Sequence, residues 1–231
     1  MTKSEIKCLI PVPRIEDDGY DWYGRHEAIL RKVKEKKYRL VLLGASNFHY
    51  WEGDRPGYAE YGTENWKAEM AQYEPLNLGY GFDRTQNILW RLEHGELDGQ
   101  DPDLILLAIG GNNFVKTANY TPDTPEEVIA GQMAVAGKAR SLCPKAKIVF
   151  IVFPPRPGHV TEEKIRILHK GLAEKVSEEE NMEFRDLSGK YLKSDGSLDT
   201  ALFMPDRVHL NNAGFHVLME ELVPLFRELG L

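Results

Sequence analysis

The chain has 231 residues, 42% hydrophobic and 28% charged, a balance that builds a core and excludes disordered and fibrous classes. Thirty-six acidic residues against 29 Lys and Arg give a net charge of −7. Nucleic-acid binders carry a basic surplus on some face, so a phosphate-binding groove is not expected as the main function.

In chain order, residues 1–20 read as an irregular arm, with Pro11, Pro13 and Gly19. Residues 21–37 predict a helix, because Trp22, His26, Ile29, Leu30 and Val33 recur at helical spacing. Short apolar runs at 39–43, 75–78, 104–109, 147–153 and 182–187 read as buried strands, and Gly or Pro ends several of them. Helices are predicted between and after them, at 85–94, 124–141, 161–180 and 212–229. Pro122 and Pro125 mark the start of the second of these, and Thr161 caps the third. Apolar strands alternating with helices mean parallel pairing with both sheet faces covered. The expectation is a three-layer α/β/α sandwich around a five-stranded parallel sheet, flavodoxin-like in plan, forming one domain over 21–231.

No run of about 18 apolar residues appears, and the N-terminal stretch lacks the apolar core of a secretory signal. Cys8 and Cys143 form neither a metal-type pair nor a disulfide framework. The expectation is a cytoplasmic protein with no membrane or nucleic-acid partner. A homodimer is the default among oligomers.

In such sheets the active crevice lies at the C-terminal ends of the strands. The residues there are Gly44-Ala45-Ser46-Asn47, Gly79-Tyr80-Gly81-Phe82-Asp83 and Gly110-Gly111-Asn112-Asn113. A later loop carries Pro205-Asp206-Arg207-Val208-His209. These are parts for acyl transfer. Ser46 supplies a nucleophile, His209 a base, Asp206 a carboxylate to orient the imidazole, and Asn112 an amide N–H for an oxyanion. Each also has a plain structural reading: Ser46 as a helix cap, Asn112 as a turn former, and Asp-x-x-His as a chance pairing. Their placement after successive strands favours the chemical reading.

The four blocks resemble those of the SGNH (GDSL-type) hydrolases, near the platelet-activating-factor acetylhydrolase-like esterases. Gly44-Ala45-Ser46 stands for the Gly-Asp-Ser block. Asn77 to Thr85, continuing through Ile88 to Leu97, resembles the second block. Gly110 to Asn113 resembles the third, and Asp206-Arg207-Val208-His209-Leu210 the last. The resemblance implies Ser46 as nucleophile, His209 as base and acid, and Asp206 as its partner. It also implies an oxyanion hole from the Ser46 and Phe82 backbone N–H groups and the Asn112 side chain, and chemistry that needs no metal or organic cofactor. Ala45 and Phe82 depart from the family's Asp and Gly. The Phe82 ring is expected at or beside the acyl pocket.

Asn47, Tyr80, Phe82, Asn113 and Arg156 are the expected substrate contacts. Phe48 and Trp51 have two readings, a wall for a sugar ring or acyl group and the buried stripe of a helix. His49 is expected at the surface or behind the site rather than as a second base. The expected reaction is hydrolysis of short acyl esters, acetyl above all, of a carbohydrate or other small polar alcohol. Lysophospholipase or thioesterase activity, a non-catalytic binding protein on the same fold, and a nucleotide-binding flavodoxin-like protein are the alternatives.

Overall fold

A computed structural model describes residues 6–53, 61–154 and 160–231. The strands are β1 (Leu40–Gly44), β2 (Leu76–Gly79), β3 (Leu104–Ala108), β4 (Lys147–Val152) and β5 (Met182–Asp186). They pair in parallel in the order β2-β1-β3-β4-β5. The predicted five-stranded parallel sheet is therefore observed, each strand within a residue or so of its sequence-based bounds.

The helices are α1 (Trp22–Glu35), α2 (Ser46–Trp51), α3 (Thr63–Asn65), α4 (Thr85–Glu93), α5 (Pro125–Leu142), α6 (Glu162–Ser177) and α7 (Asn212–Glu228). Alternation along the strands divides the core in two, because successive side chains point to opposite sheet faces. Val41, Leu43, Ile105, Leu107, Ile148 and Phe150 pack with α1, α4, α5 and α6. Leu40, Leu42, Leu104, Leu106, Val149 and Ile151 pack with α2, α7 and the segment after α3. That segment, a π-helical turn Trp66–Met70 and a 3-10 turn Ala71–Tyr73, carries no strong sequence signal and is set by burial of Trp66 and Met70.

Phe48 and Trp51 are 1% and 0% exposed, so the buried-stripe reading of those two is correct. The arm is not loose over its described residues. Thr85 Oγ1 donates to the Cys8 carbonyl at 3.0 Å and Val12 N–H to the Gln86 carbonyl at 3.2 Å, which lays the arm along α4. On the sheet edge, Arg25 of α1 donates to the Gly79 and Asn77 carbonyls of β2 at 2.9 and 3.1 Å. The guanidinium thereby covers backbone acceptors that an edge strand would otherwise expose.

Candidate active site

β1 is flanked by β2 on one side and β3 on the other, and Gly44 is level with Gly79 and with Ala108. Parallel register therefore brings the turns carrying Ser46, Phe82 and Asn112 out at one level, side by side. Ser46 opens α2 behind Ala45, a cap position without a side-chain hydrogen bond. The helix-cap reading of Ser46 fails, since its hydroxyl points elsewhere. Ser46 Oγ lies 2.8 Å from His209 Nε2, and His209 Nδ1 lies 2.6 Å from Asp206 Oδ2. An ionised carboxylate only accepts, so Nδ1 carries the proton and Nε2 is left to accept from the serine hydroxyl.

Local structure fixes this chain. Asp206 Oδ1 accepts from the Val208 and His209 backbone N–H groups at 2.9 and 3.0 Å, folding the loop into a tight turn that holds Arg207 at φ 57°. Burial alone would raise the Asp206 carboxyl; hydrogen bonds from the His209 ring and the two backbone N–H groups outweigh it and hold the group well below the usual carboxylate range. Asn47 Oδ1 accepts from Leu210 N–H at 3.1 Å, which ties the histidine loop to the serine helix. Asn47 also borders the adjoining cavity.

The three expected oxyanion donors lie on the turns that follow β1, β2 and β3. In the first turn of a helix the backbone N–H has no intrahelical acceptor, which leaves that of Ser46 available. Phe82 adopts φ 60°, a left-handed conformation that costs a phenylalanine about 1 kcal/mol or more. Its N–H meets no acceptor among the described residues. Asn112 Nδ2 donates one hydrogen to the Asp83 carbonyl at 3.0 Å, keeping a second in reserve.

Two expected substrate contacts, Tyr80 and Asn113, are corrected. Tyr80 is 0% exposed, and its hydroxyl donates to Glu96 at 2.6 Å; the second-block turn faces it into the core. Asn113 is also 0% exposed. It donates to Asp123 at 2.8 Å and accepts from Thr85 N–H at 3.2 Å, which makes it a brace between α4 and the third-block turn. The Phe82 ring lies near the Arg84 guanidinium, 5.4 Å from its central carbon, and forms no part of the cavity wall. Arg156 lies outside the described residues.

The residues that hold the site from behind were less legible. His49 is 1% exposed, so a surface placement is wrong. Its Nδ1 accepts from Gly81 N–H at 3.0 Å and steadies the turn before Phe82. Arg84, fully buried, donates to the Asn112 carbonyl at 3.0 Å and pairs with Glu16 of the arm at 3.0 Å. Asp83 accepts from Trp22 Nε1 at 2.8 Å and Arg91 Nε at 2.9 Å. Burial lifts the Asp83 carboxyl to about 6, against the pull of Arg91 and Trp22. Arg91 also pairs with Glu96, which accepts from Tyr80 and contacts His26 at 2.8 Å. Burial would raise Glu96 as well, but Arg91 and the hydrogen bonds around it hold it below the usual range. Charged residues inside a helix otherwise apolar on that face, Arg91 among Ile88, Leu89 and Leu92, were the available signal for this buried network.

A cavity of about 160 Å³ opens beside Ser46 along the C-terminal edge of the sheet. Its wall runs from Ala45, Ser46 and Asn47 past Ile109 to Asn112 and on to Ile151, Phe153 and His169. The rings of Tyr50 and Tyr61 stand 5.2 and 5.4 Å from the His209 ring, and neither lines this cavity. Among the described residues no cluster of three His, Cys, Asp or Glu is placed to hold a metal, and no helix is long and apolar enough to cross a membrane.

A three-layer sandwich with a serine, a histidine and an aspartate in hydrogen-bonded series at the strand ends defines an α/β carboxylic ester hydrolase. The chain belongs to the GDSL-like lipase/acylhydrolase family, whose model matches residues 42–217. It is 28% identical over 207 residues to platelet-activating factor acetylhydrolase IB subunit alpha1 of Rattus norvegicus, covering 89% of this chain and 82% of that one. It is 28% identical over 226 residues to the alpha2 subunit of Homo sapiens, covering 94% and 90%. In fold it is similar to a putative acylhydrolase from Bacteroides fragilis, with a TM-score of 0.67 at 15% identity over 90% of this chain and 98% of that one. A putative platelet activating factor protein from Streptococcus pneumonia gives a TM-score of 0.63 at 19% identity, over 88% and 93%.

Proposed function

We propose that the chain is a serine esterase that removes short acyl groups from a small, uncharged or weakly charged alcohol through an acyl-enzyme. The continuous series Ser46–His209–Asp206, at 2.8 and 2.6 Å, carries this reading. In the first half-reaction Ser46 Oγ attacks the ester carbonyl carbon while its proton passes to His209 Nε2. The carbonyl oxygen takes the negative charge and is met by the N–H groups of Ser46, Phe82 and Asn112. Collapse breaks the ester C–O bond, and His209 returns the proton to the departing alcohol. Water then repeats the sequence on the acyl-serine and releases the acid. Asp206 stays ionised and keeps the imidazole in the tautomer that accepts from serine.

The relatives named as acetylhydrolases support a short acyl group. Their substrate name also favours a second reading, in which the alcohol is a lipid. The net charge of −7 supports a neutral or cationic ester over a strongly anionic one. Arg84, on the second-block turn, is buried against Glu16 and the backbone.

The test is hydrolysis of p-nitrophenyl acetate by the wild type and Ser46→Ala, with fluorophosphonate labelling alongside. Wild-type turnover with labelling lost in Ser46→Ala is expected. Equal rates in both, or a folded wild type that does not label, would overturn the reading.

A further inference from the structure

We infer that the cavity beside Ser46 is an acyl pocket sized for tails of about four to six carbons, kept open by Ala45 and Gly111. This rests on the reading of Ser46 as nucleophile and goes beyond it, because an acetyl group would leave most of the cavity empty.

An ester has two sides, and the geometry assigns them. The leaving oxygen must lie where His209 Nε2 can return its proton. His209 is not in the cavity wall, and neither are Tyr50 and Tyr61, whose rings flank it. Ser46 and the oxyanion donor Asn112 are in that wall. A carbonyl held between those two groups therefore sends its acyl carbon into the cavity and its alcohol towards the two tyrosines.

The lining fits a hydrocarbon tail. Ile109, Phe114, Ile151, Phe153, Ile165 and Leu168 supply apolar surface from β3, β4 and α6 and the turns after the strands. From β1 past β3 to β4 the cavity spans two strand spacings, about 10 Å. Its volume of about 160 Å³ is close to that of an apolar protein cavity of about 150 Å³ that takes up benzene. The apolar run ends at His169, whose Nδ1 is turned to Asp186 at 2.9 Å. His169 closes the run with a polar ring, a poor neighbour for a longer chain.

Two small residues keep the space open. Ala45 stands where the family carries Asp, and a carboxylate there would add bulk and charge to the wall. Gly111 also lines the cavity, and a Cβ built on it meets nothing within 4 Å. Larger residues at 111 would enter free space without disturbing the turn.

The experiment is a p-nitrophenyl ester series from acetate to decanoate, read as kcat/KM for the wild type, Gly111→Leu and Ile165→Trp. Burying two further methylenes should raise wild-type kcat/KM about 10-fold from acetate to butyrate. The value should hold to hexanoate and fall by decanoate. Each variant should lower the hexanoate-to-acetate ratio at least about 10-fold. A wild type that prefers acetate or decanoate, or an unchanged ratio in the variants that fold, overturns the pocket assignment while leaving the esterase reading intact. Turnover that persists equally in Ser46→Ala would instead remove the reading on which it rests.

Discussion

Two His–Asp pairs stand near the strand ends, one at the serine after β1 and one at the end of β5. His209 meets Asp206 at 2.6 Å, and His169 meets Asp186 at 2.9 Å. In both, the carboxyl is held below its ordinary range. For Asp186 the His169 hydrogen bond is the leading cause and brings it to about 2. For Asp206, hydrogen bonds outweigh burial. By residue type, distance and electrostatics the pairs are near equivalents. They differ in the third atom: His209 Nε2 receives the Ser46 hydroxyl at 2.8 Å, while His169, which borders the cavity, has no partner at Nε2 among the described residues. An oriented imidazole is thus common structural material, and a nucleophile within reach makes it a catalytic candidate.

Substitutions can break or sharpen this contrast. The largest effect belongs to Ser46→Ala, with kcat on p-nitrophenyl acetate expected to fall about 10⁵-fold or more, since a triad acts as a unit. Next comes Asp206→Asn, which keeps the shape but favours the wrong imidazole tautomer; a loss of about 10⁴-fold in kcat is expected. Asn112→Ala removes one oxyanion donor and should cost about 10²- to 10³-fold in kcat with little change in KM. A loss of less than threefold there would remove Asn112 from the oxyanion hole.

The smallest effect is expected at the second pair. Asp186→Asn should cost under about 1 kcal/mol of stability at neutral pH, because the pair is partly solvated. A fall of more than about 100-fold in p-nitrophenyl acetate turnover would show that the two pairs are not functionally distinct. The sign of its pH dependence follows from the depressed carboxyl. Asp186 sits at about 2 in the folded chain against 3.8 unperturbed, so its contribution is present above about 4 and is lost as pH falls from there towards 2. Urea midpoints at pH 7 and pH 3 should therefore drop less in Asp186→Asn than in the wild type.

Much of the fold is readable in the chain because apolar runs of about six residues between helical periods admit few arrangements. The strands at 39–43 and 104–109 end at glycines that mark where backbones turn over the sheet. The chemistry-bearing residues Ser46, Asn112, Asp206 and His209 are legible for a related reason: each follows a strand or precedes the last helix. Tyr80 and Asn113 were misread because strand-end position alone does not say which way a side chain points. Tyr80 turns inward to Glu96 and Asn113 to Asp123. The helical turns of residues 63–73 were missed because their conformation is fixed by packing Trp66 and Met70 against α7 and the sheet, contacts remote in sequence.

The sequence by itself determined the alternating strands and helices, the parallel sheet and the kind of reaction its strand ends can support, because these follow from local periodicity and residue chemistry. The tertiary structure supplied the 2.8 Å contact by which His209 reaches Ser46 across 163 positions of chain, and the second pair, His169–Asp186, which no local pattern marks. It also decided that Ala45 and Gly111 border open space, and that charged residues such as Arg91 and Asp83 lie buried as the frame behind the oxyanion turn. Those outcomes depend on strand order and side-chain direction, which arise when the sheet assembles and which no local pattern encodes.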